Sequence, residues 1–226
     1  MQVASQKSWK GVGMEGWMAR WYARTRQRDM GEFQQQAAAV AQALPPGARV
    51  LEVAPGPGYF AVELAKLGDF KITGLDVSRT FVEIATDQAT RGGVAIDFRL
   101  GSASQMPFPE RSFDFVYCSA AFKNFSEPVK ALDEMHRVLR PGGQALIVDL
   151  RKDVSLDEVD AYLQRSGRSR VDAWMGSWIF RHMLVKRAYT GPDFRRMAGQ
   201  SRFGHCRISV GPIGIEVRLV RSEPDG

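Results

Sequence analysis

Two glycines and one aspartate, placed at the ends of two apolar segments, are the residues of this chain best suited to ligand chemistry. The apolar stretch 50–53 leads into a turn with Gly56 and Gly58, and a helical pattern follows over 61–67. Glycines let the backbone approach a ligand closely, and the helix N-terminus offers free N–H groups with a partial positive charge. Asp76 ends the next apolar segment, about 20 residues beyond the turn, where a carboxylate can grip a ribose diol. This arrangement predicts a nucleotide-binding site.

The glycine turn alone does not identify the nucleotide. The spacing Gly56-x-Gly58-x-x-Ala61 also fits a dinucleotide-binding fingerprint, so an NAD(P)-dependent oxidoreductase is one interpretation. A tight strand-to-helix turn that binds nothing is another. Segments further along the chain distinguish these interpretations.

Three later segments carry a more specific pattern. They are Gly101-Ser102-Ala103-Ser104-Gln105-Met106-Pro107-Phe108-Pro109, then Ser112-Phe113-Asp114-Phe115-Val116-Tyr117, then 131–143 with the apolar strand 145–148. Together with the glycine turn they resemble the class I S-adenosylmethionine-dependent methyltransferases, especially the small-molecule branch related to the ubiquinone and menaquinone methyltransferases (methyltransferase type 11 domain). The resemblance covers residues 48–150 in unbroken motif order. It implies S-adenosyl-L-methionine as cofactor and in-line methyl transfer to an O, N, S or C atom of a small-molecule acceptor.

The resemblance also implies roles for individual positions. Glu52 is expected to fix the methionine end of the cofactor, and Asp76 to accept hydrogen bonds from both ribose hydroxyls. Val77 is expected to lie against the adenine. The full set expected at the cofactor is Tyr22, Glu52, Ala54, Pro55, Gly56, Gly58, Tyr59, Phe60, Asp76, Val77, Ser78, Gly101, Ser102, Ala103, Met106, Ser119 and Ala120.

Three positions depart from the family pattern. Ala54 stands where the family has its first glycine, and its methyl group is tolerable if the local φ is negative. Ser102 replaces an aspartate that accepts from the adenine amino group, and a hydroxyl is a weaker acceptor. The segment 122–124 (Phe-Lys-Asn) replaces a Leu-His-His segment. These departures leave a non-catalytic, regulatory cofactor-binding protein as a second alternative.

Four residues are candidates for acid–base or anchoring roles toward the acceptor: Lys123, Asn124, His182 and Tyr22. Lys123 follows the fourth core strand, where it either holds an anionic group or faces solvent. Tyr22 belongs to a run with Trp17, Met18 and Trp21 at helical spacing, which suggests a lid helix over the cofactor. Ordinary core packing of this helix is the alternative interpretation.

A helical insertion is expected over 151–189, after the fifth strand. Ser155 and Glu158 form a capping-box pattern that starts a helix. A second helix would carry Trp174, Trp178 and His182 on one face. That face suits a substrate cap, core packing or a homodimer contact.

Composition is typical of a compact enzyme without a membrane span. The 226 residues are 44% hydrophobic, and no stretch approaches the length of a membrane-crossing helix. Two cysteines and no apolar leader indicate a reducing, cytoplasmic location. The net charge of +6 comes largely from late arginines that suit solvated helix faces and do not favour nucleic acid. His136, His182 and His205 are scattered, and no metal site is predicted.

These observations predict an α/β fold with a Rossmann-like, seven-stranded, mostly parallel sheet and a C-terminal antiparallel hairpin. The expected units are an N-terminal helical lid (1–46), a cofactor-binding core (47–150), a helical cap (151–189), and a last helix with the hairpin (190–226). A helix over 30–44 that stops at two prolines belongs to the first unit, and Thr190 opens the last helix with a capping pattern.

Overall fold

The computed structural model describes residues 9–10, 13–155, 157–159, 161 and 185–223. Seven strands form one sheet in the order β3-β2-β1-β4-β5-β7-β6. Their bounds are β1 Arg49–Val53, β2 Lys71–Asp76, β3 Asp97–Leu100, β4 Phe113–Ser119, β5 Leu139–Leu150, β6 Arg207–Val210 and β7 Gly214–Val220. Strands β1 to β5 pair in parallel, and β7 pairs antiparallel with both β5 and β6. The predicted sheet and its C-terminal hairpin are confirmed.

Six α-helices lie wholly within the described part of the chain. They are α1 Gly16–Arg26, α2 Met30–Ala43, α3 Tyr59–Ala65, α4 Arg79–Arg91, α5 Pro128–Val138 and α6 Gly191–Gln200. Thr190 and Asp193 form the predicted capping box of α6. Ser155 and Glu158 form the other predicted box, in which each side chain accepts a hydrogen bond from the backbone N–H of the other residue. Each box satisfies backbone N–H groups that the first helical turn leaves free.

Alternating side chains of the central strands divide the core into two layers. Leu51 and Val116 point to the layer that α5 and α6 cover. Val50 and Phe115, one residue away in each strand, point to the layer of α2 and α3. This alternation is the two-residue period of a strand buried on both faces.

The order of the sheet reverses between β1 and β4, because β2 and β3 lie on one side of β1 and β5 on the other. Ligands of open α/β sheets bind outside the carboxyl ends of the strands at such a point. Val53, Asp76 and Ser119 end the strands there. The fold therefore gathers the predicted cofactor residues at one edge.

Part of the predicted insertion lies outside the described residues. This part includes Trp174, Trp178 and His182, so the proposed cap or homodimer contact and the division into four units stay predictions. Among the helices that the structure describes, none is long and apolar enough to cross a membrane.

Candidate active site

The turn between β1 and α3 has three residues in the left-handed backbone region. The φ angles of Ala54, Gly56 and Gly58 are 56°, 55° and 79°. A Cβ at Gly58 would lie 2.8 Å from Cβ of Ala85, so a side chain does not fit there. A Cβ at Gly56 would meet nothing within 4 Å, which leaves open space above the turn. The turn is close-packed beneath and open on the side where a ligand can approach.

Ala54 does not meet the condition under which its methyl group is tolerable. That condition is a negative φ, and the observed φ is positive. The conformation is held because the Ala54 N–H donates to the carbonyl of Leu75 at 2.8 Å. A left-handed residue with a Cβ costs roughly 1–2 kcal/mol, so the turn carries local strain that a glycine would not have.

Asp76 is buried at the end of β2 and accepts hydrogen bonds from the backbone of two neighbouring turns. Its Oδ1 accepts from the Ser78 N–H at 2.9 Å, and its Oδ2 accepts from the Gly56 N–H at 3.1 Å. Burial raises the pKa of this carboxyl to about 6, although these amide donors act in the opposite direction. Asp76 thus ties the glycine turn to the second strand and presents a carboxylate at neutral pH.

Glu52 is a buried carboxyl with an unused oxygen. Its Oε2 has no hydrogen-bond partner, and the residue is only 4% exposed. Burial raises the pKa of Glu52 to about 8, the N–H of Ala61 lowers it, and the charge of Asp76 raises it further. A buried polar atom without a partner is costly. Glu52 is therefore suited to a donor that arrives with a ligand.

An apolar cleft lies beside these carboxyl groups. Its walls are Trp9, Val53, Ala54, Leu75, Val77, Gly101, Ala103 and Phe125. Ala54, Val77, Gly101 and Ala103 belong to the predicted set. Ser102 lies in the same loop, where its Oγ accepts from the Ser104 N–H at 3.2 Å.

Sequence reasoning missed Trp9 and Phe125. The two rings lie 6.3 Å apart, and an isolated β-bridge joins their backbones. The backbone N–H of Lys10 strengthens the contact, because it donates to the carbonyl of Asn124 at 2.7 Å. Phe125 directly follows segment 122–124, and the departure of this segment from the family pattern was the sequence signal that could have indicated Phe125. Trp9 lies outside every motif, and no sequence signal indicated it.

Four predicted cofactor residues use their side chains for packing or capping within the protein. Tyr59 donates its hydroxyl to the carbonyl of Ala23 at 3.0 Å, and Phe60 stacks on Tyr117. The hydroxyl of Ser78 caps α4 and donates to the carbonyl of Met14. The side chain of Met106 belongs to the core layer of α5 and α6. The expected contacts of these four residues with a cofactor stay predictions.

The end of β4 is shaped by a second strained residue. Ala120 follows Ser119 with a φ of 55°, and its N–H donates to the carbonyl of Val148 at 2.8 Å. Lys123 donates to the carbonyl of Ala120 and to Asp149, and it is buried. The solvent-facing alternative for Lys123 is wrong, because its side chain is buried and two of its three ammonium N–H groups are bonded within the protein. Its alternative role in holding an anionic group of the acceptor stays a prediction. Asn124 is partly exposed nearby.

Tyr22 lies half-buried on α1 and packs edge-on against Phe81 at 5.8 Å. Burial raises the pKa of its phenol, Arg26 opposes this, and the charges of Asp149 and Asp76 add to it. Tyr22 is thus close enough to sense carboxylates at the ends of β2 and β5. Trp17 and Trp21 of the same helix are exposed, and the lid over the cofactor stays a prediction.

The arrangement matches known proteins. Residues 51–147 match the protein family described as Methyltransferase domain. The chain contains a methyltransferase domain. The expected resemblance is thereby confirmed over residues 51–147, which include the glycine turn, Asp76 and the 101–106 loop.

The methyltransferase domain is similar to curated quinone-modifying proteins. Demethylmenaquinone methyltransferase of Deinococcus radiodurans is 38% identical over 102 residues, which are 45% of this chain and 42% of that protein. A ubiquinone/menaquinone biosynthesis C-methyltransferase of Bordetella parapertussis is 30% identical over 170 residues, covering 71% and 64%. The chain thus covers less than two thirds of either relative.

A solved structure shares the fold over nearly the whole chain. A putative S-adenosyl-L-methionine-dependent methyltransferase from Methanococcus maripaludis has a TM-score of 0.75 at 17% identity. The match covers 97% of this chain and 99% of that one. Elements outside the methyltransferase domain therefore also follow the fold of this neighbour.

Proposed function

We propose that this protein is an S-adenosylmethionine-dependent methyltransferase that acts on a small-molecule acceptor. The observation that carries the proposal is the pair of buried carboxyl groups, Glu52 and Asp76, on adjacent strands beside the glycine turn. Burial raises the pKa of both. Buried carboxyl groups of this kind call for hydrogen-bond donors, and a nucleoside joined to an amino acid supplies them.

The residues present fit the parts of this cofactor. An ammonium group is a suitable donor for Oε2 of Glu52, which has no partner. Each oxygen of Asp76 accepts one backbone N–H and keeps a free lone pair for a ribose hydroxyl. Leu75, Val77 and Ala103 line the apolar cleft and offer an apolar surface for one face of the purine ring.

The chain contributes orientation and exclusion of water. When bound, S-adenosylmethionine supplies an electrophilic methyl group on its sulfonium. We infer that Ser119 and Ala120, at the end of β4, border that end of the site, and that Tyr22 closes it from α1. Asn124 and His182 stay candidates for contact with the acceptor. Lys123, which pairs with Asp149, also stays a candidate.

The acceptor and the cellular location belong to the same proposal. Relatives named for menaquinone and ubiquinone biosynthesis support a small aromatic acceptor. Cys118 and Cys206 are free thiols, which suits a reducing cytoplasm.

The test is calorimetric titration with S-adenosylmethionine, S-adenosylhomocysteine and NADH in parallel. Wild type is compared with Asp76→Asn and with Asp97→Asn, a matched control at an exposed position of the neighbouring strand. Because two charge-assisted hydrogen bonds are weakened, we expect Asp76→Asn to lower the affinity about 100-fold. Asp97→Asn should bind as wild type does, and thermal unfolding should show that both variants fold.

Three outcomes would contradict the proposal. Binding of NADH in place of the sulfonium compounds would indicate an oxidoreductase. Unchanged affinity in Asp76→Asn would show that the site is elsewhere. Tight cofactor binding without formation of S-adenosylhomocysteine, across a panel of phenols, quinols, thiols and amines, would indicate a regulatory binding protein.

A further inference from the structure

Helix α1 presents two tryptophans and two arginines on one exposed face. Trp17 is 76% exposed and Trp21 is 59% exposed, and Arg20 and Arg24 are exposed beside them. An α-helix turns about 100° per residue, so these four side chains lie within an arc of about 100°. Tryptophan is usually largely buried in a folded protein, so a neighbouring exposed pair indicates an interaction surface. We call these four residues the Trp–Arg face.

The opposite side of α1 is firmly attached to the protein. Glu15, which precedes the helix, accepts from the Thr80 hydroxyl at 2.6 Å and from the Thr80 N–H at 3.1 Å. Ala19 and Ala23 are buried, and the Tyr59 hydroxyl donates to the Ala23 carbonyl. The Trp–Arg face is therefore held outward by packing on its other side.

The Trp–Arg face carries uncompensated positive charge. No ion pair within the described part of the chain involves Arg20, Arg24 or the exposed Arg28 that follows, whereas Arg26 pairs with Asp29 at 2.7 Å. Helix α1 has no acidic residue, and the whole chain has a net charge of +6. The face thus combines large apolar rings with cations that have no ion-pair partner among the described residues.

We propose that the Trp–Arg face binds anionic phospholipid headgroups at a membrane surface, which goes beyond the proposed methyl transfer. Indole rings favour the boundary between headgroups and acyl chains, and guanidinium groups bind the phosphates at the same depth. A helix face that presents indole rings and guanidinium groups together suits a membrane surface, which offers both environments side by side. The contact is peripheral, since α1 has only 11 residues.

The test is co-sedimentation of the full chain with two kinds of vesicle, one of phosphatidylglycerol mixed with phosphatidylcholine and one of phosphatidylcholine alone. Wild type should bind the anionic vesicles, and this binding should weaken as the salt concentration is raised. We expect Arg20→Gln/Arg24→Gln to lower the partition coefficient about 30-fold, because two basic contacts are lost. Trp17→Ala/Trp21→Ala should lower it about tenfold.

Arg202→Gln/Arg207→Gln is the matched control, because it removes the same charge from two exposed arginines elsewhere. It should bind vesicles nearly as wild type does, and circular dichroism should show that all variants fold. Equal binding to both kinds of vesicle, no binding by wild type, or equal losses in the control would overturn the proposal. Binding of a single-stranded RNA or of a second copy of the chain to wild type would also overturn the proposal, if that binding is lost only in the Trp–Arg variants.

Discussion

Lys123 and Asp149 form an ion pair that is closed off from solvent beside the ends of β4 and β5. The Lys123 Nζ lies 2.7 Å from Oδ1 of Asp149, and the two side chains are 6% and 2% exposed. The same ammonium group donates to the carbonyl of Ala120 at 2.5 Å. Because Ala120 has a left-handed backbone, the ion pair holds a strained turn in place next to the proposed cofactor site.

Removing the cation alone should therefore destabilise the protein strongly. We expect Lys123→Met to lower the free energy of unfolding by about 3–5 kcal/mol, because Asp149 stays buried without its counter-charge. Urea unfolding at neutral pH measures the change. Lys130→Met is the matched control, since Lys130 is exposed and pairs with Glu127 at 3.4 Å. Lys130→Met should change the free energy of unfolding by less than about 1 kcal/mol. Equal losses in both variants would show that the buried ion pair contributes no more to stability than the exposed one.

Glu52 should make the ligand-free protein less stable as pH rises. Burial raises its pKa from the usual 4.5 to about 8. Between these values the folded state keeps a proton that the unfolded state has lost, so its contribution to stability falls from about pH 4.5 and levels off above about pH 8. Glu52→Gln should flatten this part of the curve in urea unfolding. An unchanged pH profile in the variant would assign the dependence to another group.

The same carboxyl should link cofactor binding to proton release. An ammonium group near Glu52 favours its charged form, so the affinity for S-adenosylmethionine should increase as pH rises toward 8. Calorimetry in buffers with different ionisation enthalpies counts the released protons. Glu52→Gln should release fewer, and equal release in both proteins would remove Glu52 from the proposed site.

Ala54→Gly should relieve strain in the turn after β1. The positive φ of Ala54 costs roughly 1–2 kcal/mol, while a glycine adds about 0.4–1 kcal/mol of unfolded-state entropy. The net expectation is a gain in stability of between zero and about 1.6 kcal/mol, measured by urea unfolding. Ala43→Gly, at the end of α2, is the control and should be destabilising. Loss of stability in Ala54→Gly would mean that its methyl group makes a contact worth more than the strain.

Trp9→Ala should weaken cofactor binding because it opens one wall of the cleft. Trp9 lines the cleft and contacts Phe125, so we expect the dissociation constant to rise about tenfold. Trp17→Ala removes the same side chain from an exposed position that does not line the cleft and should leave the affinity unchanged. Calorimetry compares the two, and equal affinities would exclude Trp9 from the site.

The amino-acid sequence by itself determined the features that depend on short stretches of chain. Gly56 and Gly58 predicted the turn, the acid at the end of an apolar run predicted Asp76, and two capping boxes predicted helix starts at 155–158 and 190–193. All of these are present in the described residues. They are predictable because the interactions that form them are local: backbone φ angles, strand periodicity and the free N–H groups of a helix turn.

Only the tertiary structure decided what depends on residues far apart in the chain. The left-handed φ of Ala54 follows from a bond to β2, the burial of Lys123 from Asp149 on β5, and the role of Trp9 from Phe125 after β4. Tyr59 and Phe60 were assigned to a cofactor by position, but packing against α1 and β4 engages their side chains. Which partner a side chain meets is set by the packing of whole elements, and a motif contains no information about it.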